Sequence, residues 1–197
     1  MLNAAVLVSG GGTNLQALID AQRRGELPSG KLSLVIASKP DVYALERAEK
    51  AGIPSSVVCR RDYPDGTAYD GALLGALREY KIDAVVLAGF LPILSPAVIA
   101  AYPDRILNVH PSLVPSFCGE GFYGLRVHKA ALERGVKVTG ATVHLVNEIP
   151  DGGRILLQKA VDVLPGDTPE TLQRRVMEQA EWQLLPRALE LLCSGKL

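Results

Sequence analysis

Short strand-like runs alternate with segments whose apolar residues recur every three or four positions along the first hundred residues. Ala4 to Val8, Leu32 to Ala37, Ser55 to Val58 and Ala84 to Leu87 are the runs. Between them, Leu15/Leu18/Ile19, Leu45/Ala48 and Leu73/Leu77/Tyr80 fall at helical spacing. Strands that are nearly continuously apolar and separated by helices predict a parallel sheet covered on both faces.

The rhythm changes from about residue 105. Ile106 to Val109 reads as a strand, Val127 to Arg134 as a helix, and Val136 to Val146 and Ile155 to Val163 as two long strands. These two pair as an antiparallel hairpin across Asn147 to Arg154, whose turn residues are Pro150, Asp151, Gly152 and Gly153. A final helix is predicted over Thr168 to Leu192, capped by Asp167 or Thr168 with Pro169 in its first turn. The fold class is therefore α/β: a Rossmann-like, mostly parallel sheet with helices on both faces, extended by antiparallel strands and ending in a long helix. No repeat, low-complexity stretch or linker separates the halves, so residues 1–197 are expected to share one sheet in a single domain.

Composition narrows the partner. Lys and Arg number 21 against 21 Asp and Glu, and aromatics are 5% of the chain. Without a cationic surplus or stacking residues, a nucleic-acid surface is disfavoured and small-molecule ligands are expected. Cys59, Cys118 and Cys193 are odd in number and far apart, and the chain opens Met1-Leu2-Asn3 without a secretion signal. No apolar run approaches the ~20 residues of a membrane helix. A cytoplasmic protein with reduced thiols, monomeric or homodimeric, is expected.

Two segments carry chemistry. Ser9-Gly10-Gly11-Gly12-Thr13-Asn14 follows the first strand and opens a helix, where backbone N–H groups and the helix dipole receive an anion. Leu15 stands where a dinucleotide fingerprint has its third glycine, and a Walker lysine is missing, which leaves a compact site for a single phosphate. A plain glycine turn capped by Thr13 or Asn14 is the alternative. The second segment is Asn108-Val109-His110-Pro111-Ser112. Residues i and i+2 of a strand share a side, so Asn108 and His110 present an amide and an imidazole together, suited to polarising one carbonyl oxygen. Two polar residues ending a strand before Pro111 would look the same. His144, in an apolar run, reads as a structural histidine that orients the site, and His128 carries less weight still. The histidines and cysteines lack zinc-site spacing, so no metal is expected.

Three segments together resemble the phosphoribosylglycinamide formyltransferases: Ser9 to Asn14, Ile106 to Pro115, and Gly140-Ala141-Thr142-Val143-His144 running to Asp151-Gly152-Gly153. The likeness covers essentially the whole chain, including Ala88 to Pro96 and Glu181 to Pro186. It implies that Asn108, His110 and Asp151 are catalytic, and that Gly11, Gly12, Thr13 and Asn14 hold the phosphate of glycinamide ribonucleotide with Glu181 at its ribose. It also implies a folate pocket of Phe90, Leu91, Pro92, Ile93 and Leu94, together with Asn108 and with Asn147, Glu148 and Asp151 around the pterin. Residues 1–100 would then be the phosphate-binding half and 101–197 the catalytic and folate-binding half.

The implied reaction is attack of the substrate amine on the formyl carbon of 10-formyltetrahydrofolate, through a tetrahedral oxyanion. Asn108 and a protonated His110 would donate to that oxyanion, with the Asp151 carboxylate favouring the imidazolium. Departures from the family pattern fall on Pro92 and Gly66, where arginines are usual, and on Leu145 and Pro150. Arg60 or Arg61 is expected to replace the second arginine at the folate tail. Counting back from Pro186 selects Glu181 for the ribose, whereas counting forward from Arg175-Val176 selects Ala180. Formyltetrahydrofolate deformylase is the nearest rival, usually with an extra N-terminal domain; strand one here begins within a few residues of Met1. Methionyl-tRNA formyltransferase usually adds a C-terminal domain and basic surface. A folate-binding module without turnover is the non-catalytic rival.

Overall fold

The computed structural model describes residues 1–197 and contains one seven-stranded sheet in the order β3-β2-β1-β4-β5-β6-β7. Strands β1 (Leu2–Val8), β2 (Gly30–Ala37), β3 (Ser55–Val57), β4 (Ala84–Leu87) and β5 (Ile106–His110) pair in parallel. Strands β6 (Val138–Leu145) and β7 (Ile155–Asp162) complete the sheet as antiparallel neighbours. The helices are α1 (Thr13–Arg23), α2 (Tyr43–Lys50), α3 (Gly66–Glu79), α4 (Pro96–Ala101), α5 (Leu125–Arg134), α6 (Pro169–Val176) and α7 (Trp182–Ser194).

Alternation along β1 sends Ala4, Val6 and Val8 to one face and Ala5 and Leu7 to the other. The first face packs on Leu15 and Leu18 of α1, Ala44 and Ala48 of α2, Leu172 of α6 and Leu185 and Leu189 of α7. The second packs on Tyr69, Leu73 and Leu77 of α3 and Val98 of α4. Each fully buried leucine of this kind contributes about 1.5–3 kcal/mol, so the strand ends are held from both sides. The chain winds outward in opposite directions from β1 and β4, and the crevice beyond their carboxyl ends is where open α/β sheets receive ligands.

Short elements escaped the sequence pattern. Helix α4 has six residues, too few for helical periodicity to register, although Ser95 caps it through the Val98 N–H and Pro96 opens it. A 3₁₀ turn at Arg60–Asp62 was equally invisible. At the C-terminus, the single helix expected over Thr168 to Leu192 is instead α6, a π-helical turn at Met177–Glu181, and α7. A π turn holds one residue more than the α-helical turn it replaces. Thr168 caps α6 in a reciprocal box with Thr171. Asp167 instead grips Arg175 through both carboxylate oxygens at 2.6 Å. No helix is long and apolar enough to cross a membrane.

Candidate active site

Asn108 and His110 lie on the same side of β5, as their spacing predicts, while Leu107 and Val109 enter the core on the other. In the antiparallel pairing of β5 with β6, Asn108 stands opposite His144 and His110 opposite Thr142. Directly opposed side chains meet, and Asn108 Nδ2 lies 3.1 Å from His144 Nε2. That register brings His144, 2% exposed, beside Asn108.

Asp151 enters from the turn between β6 and β7 with φ of 54°, a left-handed conformation that aspartate tolerates better than most residues. Its Oδ1 accepts a hydrogen bond from Asn108 Nδ2 at 3.1 Å and lies 3.4 Å from His144 Nε2. Its Oδ2 lies 3.4 Å from His110 Nδ1 and accepts the Gly119 N–H at 2.9 Å. Burial opposes ionisation, but the His144 hydrogen bond, the His110 charge and the Gly119 N–H outweigh it and hold the carboxyl below the usual carboxylate range. Asn108, His110 and Asp151 therefore converge around one ionised carboxylate.

The other ring nitrogen of His110, Nε2, lies 2.9 Å from the Phe117 carbonyl oxygen. A carbonyl only accepts, so this nitrogen carries the hydrogen. Phe117 sits at φ of 50° in the Gly-rich loop after Pro115. The loop reaches the site through backbone atoms, Phe117 O and Gly119 N, which leave no mark in a side-chain pattern. In the free protein the Asn108 amide nitrogen lies within hydrogen-bond reach of both His144 Nε2 and Asp151 Oδ1. His128 is fully buried with neither ring nitrogen partnered. Burial, with a smaller effect of the His110 charge, pushes it down to about 4, so it is neutral.

At the other end of the crevice, Gly12 forms the N-cap of α1 at φ of 70° and contributes no capping side chain. The first-turn N–H groups are thus left without a side-chain acceptor, as an anion site requires. A Cβ on Gly12 would come within 2.7 Å of the Ala44 Cβ, so glycine is needed there for approach as well as for φ. Arg47 of α2 braces the turn by donating to Gly11 O at 2.8 Å. Thr13 is exposed, and its hydroxyl lies 3.5 Å from Met177 Sδ. Asn14 turns inward instead and donates to Glu181 Oε2 at 2.7 Å, so only its backbone remains for an anion.

The π turn aims Glu181 at Asn14, whereas Ala180 is buried in the apolar core. Burial pushes the Glu181 carboxyl up to about 7 against the opposing pull of the Asn14 hydrogen bond.

Between these ends runs a cleft of about 690 Å³, lined by Ser9, Gly10, Phe90, Leu91, Asn108 and His110 among others. An adjoining cavity of about 120 Å³ brings Phe90, Leu91, Pro92, Ile93 and Leu94 against Asn147, Glu148 and Asp151. Two segments more than fifty residues apart in sequence thus form opposite walls of one mostly apolar pocket whose floor includes Asn108 and His144. Leu91 and Ile93 are exposed at its lip, an arrangement suited to a flat, partly apolar ligand. Lys39, Arg60 and Arg61 line a further depression beside Leu91 and Pro92.

Residues 2–189 match the formyl transferase family model. The chain is 40% identical to the phosphoribosylglycinamide formyltransferase of Haemophilus influenzae over 197 residues, covering all of this chain and 90% of that protein. It is 47% identical over 191 residues to the human trifunctional purine biosynthetic protein adenosine-3, covering 97% of this chain and spanning 18% of that longer protein. Among solved structures, glycinamide ribonucleotide transformylase 1 from Symbiobacterium toebii superposes with a TM-score of 0.92 at 45% identity, over 99% of this chain and 89% of that one. Phosphoribosylglycinamide formyltransferase from Brucella melitensis gives 0.89 at 42% identity, over 100% and 97%. Matched along its whole length by such proteins, the chain belongs to the formyl transferase family, among the phosphoribosylglycinamide formyltransferases.

Proposed function

We propose that the chain transfers the formyl group of 10-formyltetrahydrofolate to the amine of glycinamide ribonucleotide, a step of purine biosynthesis, in the cytoplasm. The observation that carries the reading is the ionised Asp151 carboxylate, bonded to Asn108 and paired with His110, in a crevice bounded at its far end by the glycine turn of α1. Gly11, Gly12, Thr13 and Asn14 offer N–H groups to the phosphate, with Glu181 at the ribose. The walls formed by Phe90 to Leu94 and Asn147 to Asp151 take the folate.

An α-amine has a reference pKa of roughly 7.7–8.0, so a useful neutral fraction exists near pH 7 and no strong base is needed to make the nucleophile. The demand falls on the oxygen that gains charge. His110 Nε2–H, now given to Phe117 O, is the donor aimed at the cleft, and the formyl oxygen takes that carbonyl's place. The Asp151 carboxylate beside Nδ1 stabilises positive charge on the ring and receives the amine proton through water. The test is formyl loss from 10-formyltetrahydrofolate with and without glycinamide ribonucleotide. Loss that depends on the nucleotide is expected; equal loss without it would mark a deformylase, and no loss in either case a binding module.

A further inference from the structure

Helix α2 backs the glycine turn and takes two of its carbonyl oxygens. The Ala44 N–H donates to Gly10 O at 3.3 Å, and Arg47 Nε donates to Gly11 O at 2.8 Å. The next carbonyl, Gly12 O, accepts the Gln16 N–H at 2.9 Å where α1 begins. In a trans peptide plane the C=O of one residue and the N–H of the next point in opposite directions. Bonds that draw the Gly10 and Gly11 carbonyls toward α2 therefore turn the Gly11 and Gly12 N–H groups away from it, and the Gly12 bond does the same for Thr13 along α1. None of these three N–H groups bonds to a backbone acceptor, and no N-cap side chain serves them.

Arg47 is held in one place by three neighbours. Besides Gly11 O, its Nη1 donates to Gln16 Oε1 at 2.8 Å, and its guanidinium carbon lies 4.8 Å from the centre of the Tyr43 ring. Gln16 is fixed in turn by donating to Asp20 Oδ1 at 2.9 Å. These hydrogen-bond partners of Arg47 are neutral, and none of the protein's ion pairs includes it. Arg24, which lines the same cavity, is by contrast paired with Glu26 at 2.6 Å. A guanidinium is always ionised in a protein, so half-buried Arg47 sets an unneutralised positive charge directly behind the turn.

Resting on the phosphate site proposed above, we infer that Arg47 is a positioning residue for glycinamide ribonucleotide. It acts through Gly11: its hydrogen bond aims the Gly12 N–H at the crevice, and its charge adds to the dipole of α1 where a phosphate dianion docks. The turn itself carries only N–H groups and the Thr13 hydroxyl, so this arginine supplies the full positive charge that they do not. Its contribution is to the phosphate and not to the amine. It therefore sets the affinity and the preference for a phosphorylated substrate, and leaves the formyl-transfer step alone.

Kinetics with glycinamide ribonucleotide and with its dephosphorylated ribonucleoside test this on the wild type, Arg47→Met and Arg47→Lys. Arg47→Met should raise KM for the ribonucleotide by roughly ten- to a hundredfold, the scale of a hydrogen bond to a charged group, with kcat within about threefold of the wild type. For the ribonucleoside, kcat/KM should change by no more than about twofold. Arg47→Lys keeps the charge but not the fork that spans Gly11 O and Gln16. It should recover part of the loss and keep the wild-type salt dependence of KM, which flattens in Arg47→Met. If Arg47→Met does not fold, the same comparison is made between Arg47→Lys and Arg47→Gln, which is neutral yet still polar. A merely structural arginine would lower kcat/KM equally for both substrates; that outcome, or an unchanged ribonucleotide KM in the neutral variant, overturns the inference. Calorimetric titration with ribose 5-phosphate separates it from the parent reaction. Wild type that binds this ester roughly tenfold or more tighter than the neutral variant, yet transfers no formyl group, refutes the reaction and leaves the role of Arg47 standing. Wild type that binds no phosphate ester and transfers no formyl group refutes both.

Discussion

A single carboxylate organises the residues of the site. Asp151 Oδ2 faces His110 while its Oδ1 takes an Asn108 hydrogen, so removing either neighbour disturbs a buried charge as well as a reacting group. His110→Ala is expected to lower kcat by about two to three powers of ten, the scale of a lost oxyanion donor or general acid. Initial-rate kinetics on a variant with unchanged circular dichroism check this, and near-normal turnover would remove His110 from the chemistry. Glu181 makes a separate pH prediction. Its carboxyl, ordinarily near 4.5, is pushed up to about 7 in the fold, so the folded state binds more protons than the unfolded state between those values. Stability should therefore fall as pH rises from about 4.5 to 7, by no more than about 1.4 kcal/mol per unit, and level off above. Urea titrations across that range should show the slope in the wild type and its absence in Glu181→Gln, whose amide oxygen still accepts from Asn14.

Elements place these residues, and their placement was legible only where one element sufficed. The spacing of Asn108 and His110 foretold a shared side because a strand alone sets it. The approach of His144 to Asn108 depends on the register between β5 and β6, two strands separated by the loop and α5, and no local pattern fixes such a register. The turn that carries Asp151 was legible from Pro150, Asp151, Gly152 and Gly153, but its reason for glycine was not: a Cβ on Gly153 would overlap the Leu145 carbonyl oxygen where β6 ends. Gly153→Ala must open the mouth of the β6–β7 hairpin and move Asp151. It is expected to cost about 1–3 kcal/mol of stability and roughly a hundredfold in kcat, measured by thermal unfolding and steady-state rates. An unchanged kcat would show that the hairpin mouth and the carboxylate move independently. The Phe117 carbonyl lay beyond sequence reasoning altogether, since every residue has one.

Across the whole molecule the balanced net charge conceals an uneven distribution. Lys39, Arg60 and Arg61 gather around one depression next to Leu91 and Pro92, on the outer side of the pocket assigned to folate. The expectation that Arg60 or Arg61 stands in for a family arginine is thereby given a location on the surface, and an anionic folate tail is the ligand that would use it. Replacing both arginines by serine should raise KM for a triglutamyl folate by roughly up to tenfold at low salt, shrinking as ionic strength rises. KM for the monoglutamyl form should scarcely change; equal effects on both would place the tail elsewhere. The sheet class, the antiparallel extension and the glycine turn were all legible because each follows from periodicity or from a short motif. The order of strands, and hence which loops share a crevice, was not, because it is decided by long-range packing.

The π turn at Met177–Glu181 bears on how such a chain tolerates change. One added residue inside a regular helix rotates everything beyond it by about 100°, which would carry a side chain such as Glu181 away from Asn14. Here the surplus is looped out within a single turn, so α6 and α7 each keep their apolar face on the sheet. Removing a residue from this turn is therefore the change the segment tolerates least, since either Glu181 or the apolar face of α7 must lose its place.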